Sequence, residues 1–179
     1  MEYFDVLDEN GNKTGIIKTR EEVHTYGYYH GGVIVLALDE NNNLLLQKRT
    51  MNKDSNPGKW DISCAGHLDV GEDFKNAAIR ELHEELGINI STNQLYELSY
   101  IHLNFSTTFH NKIFIENELD KVFICRIKHN TNFKLQKEEV ECVKWIPSNH
   151  IKTFLNENIH CIDEQIINLL YDYLQSKMR

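Results

Sequence analysis

Positive charge is what this 179-residue sequence has least of: 19 Lys and Arg stand against 27 Asp and Glu, a formal net charge of −8. Nucleic acids and anionic membrane surfaces are gripped by basic patches, so this balance argues against both as partners. Long apolar runs are also missing. The longest, Val33 to Leu38, falls far short of the roughly 20 residues that span a bilayer. The opening Met1-Glu2-Tyr3-Phe4-Asp5 has neither the basic nor the apolar stretch of a secretory leader. Cys64, Cys125, Cys142 and Cys161 form no CxxC pair and read as free thiols in a reducing cytoplasm. No internal repeat or low-complexity tract stands out. What is present, 41% apolar and 26% charged residues, is the composition of a globular chain about one domain long. The charge poses a question at once: an anionic ligand would need something to offset the repulsion.

Residues 1–30 read as a small extension and residues 31–179 as the main domain. In the extension, Tyr3–Leu7 and Gly15–Lys18 suggest a hairpin around the turn Asp8–Asn12, followed by a short helical turn capped by Thr19. The hairpin is expected either to mediate a homodimer or to cover a sheet edge. In the main domain, Gly32–Leu38 and Leu44–Arg49 are expected to pair as strands. The loop from Thr50 to Lys59 carries the turn signal Pro57-Gly58. Asp73–Leu86 is the clearest helix, ended by Gly87. Three strands are expected after it: Leu95–Leu103, Lys112–Ile127 with an interruption, and Glu141–Ile146. A short helix from Pro147 and an amphipathic helix from Asp163 close the chain. That order predicts an α/β sandwich on a mixed sheet.

The chemistry lies in residues 66–88. On a 3.6-residue helix Glu81, Glu84 and Glu85 fall within roughly 100° of arc and repel unless something positive lies among them. Phe74, Ala78, Leu82 and Leu86 form the adjoining stripe, so the acidic face borders the core. Arg80, four residues before Glu84, can hold that carboxylate. The occupant that suits three carboxylates is a hard divalent cation that keeps waters for a phosphate ligand.

The segment is identified as a Nudix box: Gly66, Glu72, Arg80, Glu81, Leu82, Glu84, Glu85, Gly87 and Ile88 fill all nine defined positions. At frequencies of about 5–10% per residue, a chance match has a probability below about 10⁻⁸. The resemblance implies a Nudix-type α/β/α sandwich in which a loop–helix–loop binds Mg²⁺ or Mn²⁺ and directs water at a small-molecule diphosphate. It implies Glu81, Glu84 and Glu85 as ligands, with Glu81 and Glu85 also catalytic. The Gly66 carbonyl would complete the coordination, and Glu72 and Arg80 would orient the ligands. Arg49 and Lys59 are candidates to grip phosphate.

Residues 3–147 further resemble the isopentenyl-diphosphate isomerase branch and its hydrolase relatives, through Leu46-Gln47-Lys48-Arg49, Pro57-Gly58-Lys59-Trp60 and Ile115-Glu116-Asn117-Glu118. That resemblance implies a second metal site from His24, His30, His67, Glu116 and Glu118, with Glu118 as a general base or further ligand. The isomerases place a catalytic Cys immediately before the glycine that opens the box. Here that residue is Ala65, and Cys64, one step earlier on an extended segment, faces the other way. Isomerisation needs an acid/base pair across the substrate. The expectation is therefore a hydrolase of nucleoside diphosphates linked to another moiety, or of related organic pyrophosphates. The rivals are an isopentenyl-diphosphate isomerase and a Nudix-like nucleotide sensor without turnover.

Overall fold

In the computed structural model, which describes residues 2–53, 55–109, 112–158 and 161–177, the chain opens with a hairpin of β1 (Tyr3–Leu7) and β2 (Lys13–Thr19). The Asp8 carboxylate accepts from the backbone N–H groups of Asn10 and Asn12, and Gly11 takes the positive φ of the turn. The hairpin is its own two-stranded sheet: Phe4, Val6 and Leu7 are buried, whereas Ile16 and Ile17 are exposed. Thr19 then caps α1 (Arg20–Tyr26) in a reciprocal capping box with Glu22, and Gly27 in the left-handed region ends the helix.

The main body carries β3 (His30–Leu38), β4 (Leu44–Arg49), β5 (Trp60–Asp61), β6 (Cys64–His67), α2 (Phe74–Leu86), β7 (Leu95–Phe109), β8 (Lys112–Arg126), β9 (Val140–Ile146), α3 (Ile151–Glu157) and α4 (Glu164–Lys177). Its strands run β5-β4-β3-β8-β7, with β6 also on β3 and β9 on β4. The β3–β8 pair is parallel and the others are antiparallel, so the sheet is mixed as expected.

Two details differ from the sequence reading. β3 and β4 do not run together as a full hairpin: they meet at Leu38 and Leu44, after which β3 pairs with β6 and β8 while β4 pairs with β5 and β9. Every residue of β3 is buried, which requires strands on both of its edges. The strand over residues 112–126 is also uninterrupted. β7 pairs with it from Leu95–Cys125 to Phe109–Lys112, with one irregularity between Glu97 and Tyr100. The polar stretch at 116–118 stays in register because its side chains have partners on both faces: Asn117 donates to the Gly27 carbonyl, and Glu116 and Glu118 face histidines. His110 and Asn111, between the two strands, lie outside the described residues.

Alternation along β3 builds the two halves of the core. Ile34, Leu36 and Leu38 pack with Ile151, Leu155, Ile166, Ile167 and Leu170 from α3 and α4. Val33, Val35 and Ala37 pack with Ala77, Ala78, Leu82 and Leu86 of α2. The result is an α/β/α sandwich in which each fully buried aliphatic side chain contributes about 1.5–3 kcal/mol. α2 is fixed at both ends. The Asp73 carboxylate accepts from the N–H groups of Lys75 and Asn76, while the N–H groups of Lys134 and Gln136 take the carbonyls of Leu86 and Glu85. Among the described residues no helix is long and apolar enough to cross a membrane.

Asp73→Ala should therefore lower stability by about 1 kcal/mol. The readout is a shift in the urea midpoint at constant m; an unmoved midpoint would show that the cap contributes nothing.

Candidate functional site

A cavity of about 500 Å³ opens where β6, α2 and β8 meet, and its wall carries most of the residues singled out in the sequence: Gly66, His67, Arg80, Glu81, Glu84, Glu85, Glu116 and Glu118. Gly66 sits where a β-carbon would overlap the carboxylate of Glu81, so the missing side chain is what lets the helix acid lie against β6. Arg80 ties this corner together. Its Nη1 donates to Glu81 at 2.7 Å and to Glu84 at 3.2 Å, its Nε and Nη2 hold Glu72 at 3.1 and 2.9 Å, and Nη2 also reaches the His67 carbonyl at 2.8 Å. Such a planar fork, charged at any ordinary pH, fixes several acceptors at once.

Glu85 is held differently. It is only 4% exposed, and its neutral donors are Gln47 Nε2 at 3.1 Å and the Cys64 thiol. Burial, followed by the charge of Glu81, pushes the Glu85 carboxyl up to about 8. Burial pushes Glu81 up to about 7 against the pull of Arg80. Two acids poised near neutrality, a half-exposed third at Glu84 and a close backbone turn form a donor set for a hard divalent cation.

A second donor set adjoins the first. His24 of α1, His30 of β3, His67 of β6 and Glu116 of β8 each present a ligand atom, all within 4.8 Å of one another. Nδ1 of His24 faces the Arg20 carbonyl at 2.8 Å, and Nδ1 of His30 faces the Tyr28 carbonyl at 3.0 Å. A carbonyl only accepts, so both rings donate from Nδ1 and turn Nε2 inward, 3.5 and 3.6 Å from Glu116. These two Nε2 atoms and Oε1 of Glu116 are buried without a hydrogen-bond partner, an arrangement that a cation would satisfy. Burial pushes His30 down to about 4 and His67 well below its usual value, so the rings are neutral, as ligation requires. Phe4 stacks on His67 and His30, with centroids at 4.7 and 5.5 Å, and Phe114 stacks on His24 at 4.2 Å.

Glu118 lies beside this set, 3.7 Å from His67 Nε2, and hydrogen-bonds Asp120. Both are buried. Burial foremost raises Glu118 well above the usual carboxylate range and Asp120 to about 8, so near neutrality the pair shares a proton. Gly32 makes room for both carboxylates.

Arg49 lines the cavity but is engaged by Asp61 at 3.2 Å and by Ser55. Lys59 donates to Asn56 and lies outside the cavity wall, in a separate recess with Phe105 and Thr107. Among the contributors to the wall that sequence reasoning missed are Asp120, Arg20, Phe4 and Phe114. Strand parity could have found Asp120, since residues 116, 118 and 120 share one face of β8. Nothing local marks the others, which reach the site only through tertiary packing. Ala65 also lines the cavity, whereas Cys64 is fully buried against Glu85 on the other face of β6.

Comparison with known proteins agrees with this geometry. A family profile described as NUDIX domain matches residues 28–167. Among curated relatives, Nudix hydrolase 3 of Arabidopsis thaliana is 42% identical over 87% of this chain, which spans about a fifth (20%) of that protein's length. Isopentenyl-diphosphate Delta-isomerase 2 of Photorhabdus laumondii is 31% identical over 84% of this chain and 80% of its own. In three dimensions a protein from Deinococcus radiodurans superimposes with a TM-score of 0.70 at 18% identity, covering 94% of this chain and 97% of the other.

The buried acids set a pH dependence in the metal-free protein. From their ordinary 4.5 up to about 7 for Glu81 and about 8 for Glu85, these acids keep protons in the native state that the unfolded chain has released, so stability falls as pH rises. His30 and His67 act in the opposite sense, but only up to their ordinary 6.5. Urea unfolding in chelator should accordingly show stability declining from pH 6.5 to 8. A profile that is flat or rising over that window would contradict the burial of these acids.

Proposed function

This chain belongs to the Nudix hydrolase family, and from that premise we propose a metal-dependent hydrolase that cleaves the pyrophosphate bond of a nucleoside diphosphate linked to another moiety, or of a related organic pyrophosphate, using Mg²⁺ or Mn²⁺. The observation that carries this reading is the corner where Glu81 lies against Gly66 while Arg80 secures Glu72, Glu81 and Glu84. In it, Glu81, Glu84, Glu85 and the Gly66 carbonyl hold the cation, and Glu72 and Arg80 orient them. His24, His30, His67 and Glu116 hold a second. An imidazole-rich set suits a transition metal better than Mg²⁺. Bound divalent cations neutralise diphosphate oxygens and lower the pKa of the water that attacks.

The protein's own groups do the rest. Glu81 and Glu85 present charge to the cation once their protons leave. Glu118 is the general base, and Asp120 beside it takes part of the proton load. Arg49, Arg20 and Lys53 face the cavity, each already paired with an acid: Asp61, Glu2 and Glu139 respectively. A diphosphate binds by competing with those acids, which favours a substrate that brings cations with it. Lys53 takes the phosphate-facing role for which Lys59 was a candidate. Residues 1–30 serve as an extension to a Nudix domain over 31–179 and supply His24, His30 and Phe4. The four free cysteines fit a cytoplasmic setting.

A second reading, isopentenyl-diphosphate isomerase, is favoured by the three-histidine set and by relatives of that name. Against it stands Ala65, which offers no acid or base to the cavity.

Nucleotide sugars, dinucleotides, nucleoside triphosphates and isoprenoid diphosphates should be screened with each metal, reading phosphate release and product mass. One class should turn over, and Glu85→Gln should slow it by orders of magnitude with the fold intact. Full activity in that variant would sink the assignment. Dimethylallyl diphosphate formed from isopentenyl diphosphate without phosphate release would decide for isomerisation.

A further inference from the structure

Of the three box glutamates, Glu85 is the one without a basic side chain beside it among the described residues, and the group that stands in for one is Gln47. This residue lies on β4 at 2% exposure, in a strand that is otherwise Leu44-Leu45-Leu46 as it enters the core. Its Nε2 donates to Oε2 of Glu85 at 3.1 Å. Its Oε1 is buried and has no hydrogen-bond partner among the described residues. With Glu85 ionised, as a cation ligand must be, reversing the amide would set two oxygens against each other, so this orientation is the one that state allows. An unsatisfied buried carbonyl is a cost that an apolar side chain of the same length would avoid. A residue kept in the core at that cost has something to do there.

We infer that Gln47 is a positioning residue: its amide fixes one oxygen of Glu85 so that the other is free for a divalent cation. A neutral donor suits this task better than an arginine. Arg80 already draws charge from Glu81 and Glu84, and a second guanidinium on Glu85 would compete with the cation itself. The Cys64 thiol, a weaker neutral donor, supports the same carboxylate from β6.

The inference rests on the cation-binding role proposed for Glu85, and Mn²⁺ binding to the metal-free protein, followed by electron paramagnetic resonance, separates the two. Glu85→Gln should abolish or strongly weaken one class of Mn²⁺ sites; if it does not, the role of Glu85 fails first. Gln47→Met keeps the length and removes both polar atoms. It should weaken the same class about 10- to 100-fold, the usual effect of losing a group that orients a ligand. Its unfolding midpoint in chelator should stay at the wild-type value, because the lost donor is offset by removal of the unsatisfied carbonyl. Gln47→Leu, a residue this strand already carries at three positions, guards against a folding defect peculiar to methionine. Wild-type Mn²⁺ affinity in either variant, with Glu85→Gln impaired, overturns the inference. So does a loss of affinity that merely tracks a loss of metal-free stability in both.

Discussion

One guanidinium makes the acidic corner of this protein foldable. Arg80 contacts Glu72, Glu81 and Glu84 through their carboxylates and His67 through its carbonyl, joining α2 to β6. Without it, buried and half-buried carboxylates would face one another across a few ångströms with nothing to offset them. A buried charge that loses its partner costs several kcal/mol. Arg80 does not neutralise the corner, however. Residues 66–88 hold six acids against two bases, and Glu85 lies beyond its reach. The remaining imbalance is carried by protons on Glu81 and Glu85 near neutral pH, and a cation can replace those protons.

The four-residue strand β6 organises both donor sets. Successive side chains on a strand point to opposite faces. Gly66 therefore opens toward α2 and Glu81, while His67 turns toward His24, His30 and Glu118 on the other face. The cavity reaches both because β6 is short and its only strand partner among the described residues is β3. Parallel pairing of β3 with β8, which sets His30 opposite Glu118, brings the remaining ligands together. The two sites thus depend on one register, and a slip of one residue in β6 would move both Gly66 and His67 out of place.

The parts legible in the sequence were those fixed by local spacing. The box glutamates, the helix with its caps and the alternation of Glu116 with Glu118 follow from helical and strand periods. The parts that were not legible depend on contacts between distant segments. The division of β3 from β4 is decided by which strands compete for a doubly buried edge, and no local pattern records that. Phe4 reaches the histidines only because the hairpin folds back over β3, and Arg20 reaches the cavity only through the placement of α1. Asp120 is the intermediate case: the parity that places it was readable, but its hydrogen bond with Glu118 was not.

The same alternation bears on the reaction. On β6, Ala65 faces the cavity and Cys64 faces the floor beneath Glu85. A thiol at position 65 would stand in the cavity as an acid; at position 64, burial holds it protonated, and it serves only as a donor to Glu85. Among the protonatable groups on the cavity wall, Glu81, Glu85, Glu118 and Asp120 belong to, or adjoin, sites that suit cations. An alkene must be protonated on carbon by an acid free to approach it, and Ala65 offers none. A phosphorus centre asks for less: charge held in place, and a water stripped of a proton by a neighbouring carboxylate. Under the proposed function, the negative charge of this chain would repel a diphosphate when metal is absent and so would make binding conditional on cations.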